Sequence, residues 1–199
     1  MSTILFNDKR WTSFDPKSKL EGTVSPDGLT LATTSVGGTD WWRSPERSPS
    51  NGPTLGFTRS SADSFEVSVI VGIDPQQQLC LFLRVSPTCW VKTGLEFDED
   101  VLWNSVVVVN PYSDWSKVKR GPAEHNRFTI AYTPGLVKVY LGPDMIRQVK
   151  WFGPTVDNDA SRDHTAGEVF VGIMTCSPKE GGARMSFREF TMRDGVRTK

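Results

Sequence analysis

The sequence has 199 residues, enough to bury a substantial apolar core within one domain expected to span 1–199. Lys plus Arg and Asp plus Glu are equal at 23 each, with no long run of like charge, which argues against nucleic acid or an anionic membrane as partner. The N-terminal "MSTILFNDKRWTSFDP" lacks the basic-then-apolar pattern of a leader, and no apolar run approaches the roughly eighteen residues that span a bilayer.

Gly (17) and Pro (13) punctuate short segments rich in Val, Ile, Thr, Phe and Trp, and none carries a sustained helical apolar period. In chain order, the first predicted strand is 28–35, followed by the irregular stretch 36–53, "VGGTDWWRSPERSPSNGP". Strands follow at 54–58, 65–73, 78–85, 90–97, 102–110, 127–133, 136–141 and 147–152. A second irregular stretch, 153–167, precedes strands 168–176 and 184–193. So many alternating strands joined by tight turns require two packed antiparallel sheets, an all-β sandwich. Irregular stretches of this length are candidates for the rim of a site, 36–53 especially, because the pair Trp41 and Trp42 is unfavourable in water.

The odd number of cysteines, Cys80, Cys89 and Cys176, without metal-type spacing or a glycosylation sequon, favours a reducing, cytoplasmic compartment. Cys80 and Cys176 lie in apolar runs and are expected to be inert; Cys89, in the turn "SPTCW", is the one to test for reactivity.

Strands 90–97 and 102–110 read as a hairpin closed by the loop "DEDV", with paired residues whose numbers sum to 199. One face then carries Val91, Thr93, Leu95, Phe97, Leu102, Asn104, Val106 and Val108 and belongs to the core. The other carries Trp90, Lys92, Glu96, Trp103, Ser105, Val107 and Val109, the composition of an exposed or ligand-facing surface. Glu96, Asp98 and Asp100 echo the alternating acids of retaining β-glucanases, but the third position is Asp, and Asp98 and Asp100 fall where acids are favoured as turn formers. Glycosidase catalysis is not assigned.

The strings "TDWWR" (39–43), "WVKTGLEF" (90–97), "SVVVVNPYSDWS" (105–116), "VFVGIMTCSP" (169–178) and "MSFREF" (185–190) resemble the regulation-of-enolase protein family of fungi and its bacterial relatives, within the concanavalin A-like lectin/glucanase superfamily. The similarity runs from about Leu29 to Phe190. It implies a jelly-roll sandwich of two curved antiparallel sheets whose concave face binds ligands, and carries over no catalytic motif.

Nucleophile elbows, phosphate loops, dinucleotide fingerprints and zinc-protease motifs are absent, and no metal or cofactor is expected. His125 and His164 lie in loops and are expected to be solvated, with Asp163 beside His164. Trp115, in "YSDWS", reads as a structural corner and Trp11 as core. What remains as site chemistry is Lys92, Glu96 and Arg43 as catalytic candidates, with Trp41, Trp42, Trp90, Trp103, Ser105 and Arg84 as substrate-binding candidates. Arg84 faces either the pocket or the core, depending on the length of the turn before Trp90. Two function classes follow. One is a cofactor-independent enzyme that cyclises a compact, apolar small molecule, such as a fungal secondary-metabolite intermediate, by proton-assisted cyclisation or cycloaddition. The other is a non-catalytic module binding carbohydrate or a protein such as enolase; the face has too few acids for a calcium cage.

Overall fold

The computed structural model describes residues 1–73, 78–121, 126–153 and 167–197. His125, Asp163 and His164, with nearly all of 153–167, lie outside the described residues. The strands are β1 (Ser2–Thr3), β2 (Thr23–Val24), β3 (Thr30–Thr34), β4 (Thr54–Ser60), β5 (Phe65–Ile73), β6 (Gln78–Ser86) and β7 (Cys89–Asp98). They continue with β8 (Val101–Val109), β9 (Ser113–Lys119), β10 (Arg127–Thr133), β11 (Gly135–Leu141), β12 (Asp144–Phe152), β13 (Glu168–Cys176) and β14 (Arg184–Asp194). Helix is limited, among the described residues, to one short 3-10 turn at Pro16–Ser18.

All eleven predicted strands are present; β1, β2 and β9 were not foreseen. One sheet runs β12-β11-β10-β5-β14-β3-β2, with β1 added beside β14, and the other runs β4-β13-β6-β7-β8-β9. Named strands pair antiparallel throughout, and the chain crosses repeatedly between the sheets, as a jelly roll does.

The odd-numbered residues of β6 and β7 and the even-numbered residues of β8 point between the sheets, where Leu79, Leu81, Leu83, Val91, Leu95, Val106 and Val108 meet Val67, Val69, Phe128, Ile130 and Phe187. Cys89 belongs to this buried cluster, so it sits in the core and not in an exposed turn.

The hairpin register is as predicted: Trp90 faces Val109, Lys92 faces Val107 and Glu96 faces Trp103. Its loop is shorter than expected. Asp98 pairs with Val101, and the turn is only Glu99 and Asp100, at φ 51° and 61°. Positive φ at both central positions is what a two-residue hairpin turn needs to match strand twist. Asp98 is therefore a strand residue on the same face as Glu96, a correction to its reading as a turn former.

Candidate functional site

The outer face of the six-stranded sheet is not the open surface its composition suggested. It carries a second apolar cluster of Cys80, Phe82, Trp90, Val107, Val109, Phe170, Met174 and Cys176, covered by Trp41 with Trp42 and Trp115 alongside. The covering stretch 36–53 is fastened to the end of β13 by bridges from Gly37 and Thr39 to Ser177. Trp41 donates its indole N–H to Gly52 O at 2.9 Å and meets the rings of Phe82 and Trp90 at 4.8 and 5.8 Å. These contacts bury side chains that strand alternation alone leaves outside.

Beneath this cover lies a chain of buried polar groups. Lys92, 2% exposed, donates to Gln78 Oε1 at 2.9 Å. The Cys176 thiol reaches the same oxygen at 3.0 Å and lies 3.6 Å from the Lys92 ammonium. Because lysine can only donate, Gln78 must turn its carbonyl toward Lys92, and its amide N–H groups then point to Glu96 Oε1, which accepts a hydrogen bond. From the other side, Trp115 Nε1 donates to Ser105 Oγ at 2.9 Å and Ser105 donates to Glu96 Oε2 at 2.7 Å. Both relays end on Glu96. Asp40, carried by the covering stretch, completes the charge balance 3.7 Å from Lys92 and is itself held by Arg47 at 3.2 Å.

Burial pushes the Glu96 carboxyl above its ordinary range, against the opposing pull of Lys92 and the Ser105 hydroxyl; Asp98 and Asp40 push it further up. Burial also opposes the charge on Lys92, but Cys176, Glu96, Cys80 and Asp40 outweigh it and hold the ammonium above the usual lysine range. Burial drives the Cys176 thiol to about 11 and that of Cys89 to about 12, so both are protonated thiols at neutral pH. Cys89 is thus not the reactive thiol the sequence suggested.

Glu96 meets solvent at a cavity of about 210 Å3 at the hairpin end of the face, lined also by Gln78, Asp98, Glu99, Ser177 and Lys179, with Phe97 and Pro178 as apolar wall. Asp98 is paired with Lys117 at 2.7 Å, and the Lys117 ammonium lies 4.6 and 4.3 Å from the rings of Trp103 and Trp115. A larger cleft of about 540 Å3 runs past β2 and β3, but its charged side chains, Lys19, Glu21 and Arg184, are exposed and compete with water.

The structure therefore joins Lys92, Glu96 and Ser105 in one network, with Trp103 beside it. It does not bring in the other candidates. Arg84 shares the outer face, opposite Trp90, six positions along the strand from Gln78 and so about 20 Å away; its guanidinium stacks on Phe14 at 4.0 Å. Arg43 is tied through its main chain to Ser113, at the Val109 end of the face. Trp41 and Trp90 are packed inside the second cluster, and Trp42 is half-buried against Trp115 at 6.4 Å. Lys92 itself is walled off behind Gln78. Gln78 and Asp40 were not among the sequence's site candidates, and Cys176 was read there only as an inert buried thiol, and buried it is. Alternation along β6, with Gln78, Cys80, Phe82 and Arg84 on one face, could have flagged Gln78, but the bulge between Arg84 and Ser86 hides the register that sets it beside Glu96.

A family model described as "Protein of unknown function (DUF1349)" matches residues 20–195. "Regulation of enolase protein 1" of Saccharomyces cerevisiae is 26% identical over 158 residues, 77% of this chain and 76% of that protein. Among solved structures, a functionally unknown protein from Saccharomyces cerevisiae matches with a TM-score of 0.75 at 21% identity, over 94% of this chain and 98% of that one. The Bacteroides ovatus xyloglucan PUL GH43B matches with a TM-score of 0.66 at 16% identity, over 94% of this chain and 37% of its own. These structural likenesses establish the sandwich fold and, at such identities, nothing of the chemistry.

Proposed function

We propose a function from one premise, that the chain belongs to the DUF1349 family: its outer-face cavity binds a compact neutral molecule, and Glu96 moves a proton on it without a cofactor. The observation that carries this reading is the position of Glu96, a buried carboxyl with a raised proton affinity at the wall of a cavity. At about 210 Å3 the space suits a single ring or the reacting end of something larger. Glu96, Asp98 and Glu99 outnumber Lys179 around it, which disfavours anions and favours hydroxyl, amine or carbonyl groups. A carboxylate of raised pKa is a stronger base than an ordinary one, able to take the proton from a hydroxyl as its oxygen closes onto an acceptor carbon and to return it afterwards. Acid–base-assisted cyclisation is the reaction class that follows. Lys92 contributes from behind, as a positioning residue that fixes Gln78 and through it Glu96.

A second reading, a non-catalytic regulator that contacts enolase, is favoured by the name of the yeast relative. Glu96→Gln separates the two. Gln keeps the shape and the contacts to Ser105 but cannot carry the proton. With a fragment set of neutral single-ring alcohols and ketones, the backbone amide resonances of Ser177 and Lys179 are expected to shift in both proteins, while ring closure of a hydroxy-carbonyl fragment stops in Glu96→Gln. Fragments that move neither resonance would overturn the binding site; closure unchanged by the substitution would overturn the role of Glu96.

A further inference from the structure

The buried pair Lys92 and Cys176 takes no direct part in the proton transfer just described, where Lys92 acts only through Gln78, and its surroundings are unusual for either residue. The ammonium and the sulfur are 3.6 Å apart, a gap about one bridging atom wide. Both are anchored on the same Gln78 oxygen, at 2.9 and 3.0 Å, which limits how far either can swing away. Neither side chain is open to water: Lys92 is 2% and Cys176 0% exposed. Bulky oxidants and thiol reagents are excluded, whereas dioxygen, small and apolar, permeates packed interiors. Asp40, 3.7 Å from the Lys92 ammonium, stands close enough to receive a proton.

We propose that Lys92 and Cys176 form a redox-sensitive modification site, closing to a covalent N–O–S bridge with dioxygen as the oxidant. In the step, the S–H bond and N–H bonds of the ammonium break, and S–O and N–O bonds form. One oxygen atom of dioxygen enters the bridge and the other leaves as water: R–SH + R′–NH3+ + O2 → R–S–O–NH–R′ + H2O + H+. Sulfur and nitrogen together give up the four electrons that dioxygen accepts. The bridge removes the positive charge of Lys92, so Asp40 loses its partner on the sheet and Glu96 the cation that opposes its protonation. Oxidation would thereby loosen the 36–53 cover and alter Glu96 at once. Two molecules of a dithiol, each giving two electrons as it closes to a disulfide, restore thiol and amine with loss of water. The inference stands on the geometry of the pair and does not depend on what the cavity binds.

Intact-mass measurement of the full chain in aerated buffer tests it. The bridge adds one oxygen and removes two hydrogens, a gain of about 14 Da, where sulfenic acid adds about 16 Da and a disulfide loses about 2 Da. The gain is expected to disappear with a dithiol, to persist in Cys80→Ser and to be absent from Cys176→Ser, a variant close enough in size to fold. A cross-linked tryptic peptide, uncut after Lys92, should join β7 to β13. An unchanged mass after prolonged aeration, a loss of about 2 Da, a gain of about 16 Da alone, or a gain that survives Cys176→Ser would each overturn the proposal.

Discussion

Replacing Lys92 with Met deletes the buried cation while keeping a side chain of similar length opposite Phe82, on the face that carries the second apolar cluster. The acceptor Gln78 Oε1 retains the Cys176 donor, so no oxygen is orphaned there. The loss is electrostatic: Glu96 and Asp40 stay buried without their counter-charge. Stranding a buried charge costs about 3–5 kcal/mol. Glu96 has an escape, since it can take up a proton; starting from an ordinary pKa near 4.3, protonation at pH 7 costs roughly 3.7 kcal/mol, which caps its share of the penalty. Asp40 keeps Arg47, so we expect a net destabilisation of about 3 kcal/mol at pH 7, or a fall in Tm of roughly 6–12 °C. The sign of the pH dependence follows. The folded-state pKa of Glu96, already above its unfolded value in the wild type, rises further in the variant, so the folded state binds the proton still more tightly and the variant recovers more stability than the wild type as pH falls toward 5. Urea denaturation of wild type and variant at pH 7 and pH 5 measures this directly. A variant as stable as wild type, or one equally destabilised at both pH values, would refute the placement of Lys92 as the buried counter-charge of Glu96, shared with Asp40.

Leu95→Ala, on the opposite face of the same strand and 1% exposed, is expected to lose about 2–5 kcal/mol while leaving the resonances of the cavity wall in place; urea midpoints and amide spectra check both halves. Native protein should react very slowly with a thiol reagent at all three cysteines, each of which is buried, and fast native labelling of Cys89 would contradict its place in the core. Arg193 and Arg197 lie 2.8 and 3.0 Å from the fully buried Glu66, and although burial raises its proton affinity, these partners leave the carboxyl below its usual range. That stability is present above the ordinary glutamate pKa and lost as pH falls below it, so Arg197→Ala should narrow the difference between neutral and acid stability, read from denaturation at pH 7 and pH 3.

How much of this was legible differs between the two faces of one hairpin. The pairing of Trp90 with Val109 and of Glu96 with Trp103 follows from alternation and a short turn, both local properties, and the apolar face was read correctly for the same reason. Whether the other face is wet is a different kind of fact. It depends on Asp40 and Trp41, some fifty residues upstream, folding over strands that alternation alone depicts as bare. The indole pair hinted at such a cover, yet nothing local indicates where it lands. Local composition misled elsewhere too: "YSDWS" has the residues of a corner, and β9 forms there because the edge of β8 offers a ladder from Val109↔Ser113 to Trp103↔Lys119. Gln78 was lost because its partner is set by a bulge, which no periodicity reports.

The clasp between Thr39 and Ser177 joins residues 138 positions apart, and it has a consequence for synthesis. As the chain leaves the ribosome, Trp41 and Trp42 emerge well before the floor they cover, and residue 177 emerges long after it. Through most of translation the two indoles have no surface to close on. Closure of the site is thus a late, post-assembly event, and a nascent chain halted before β13 presents an adhesive aromatic flap that chaperones or neighbouring chains can seize.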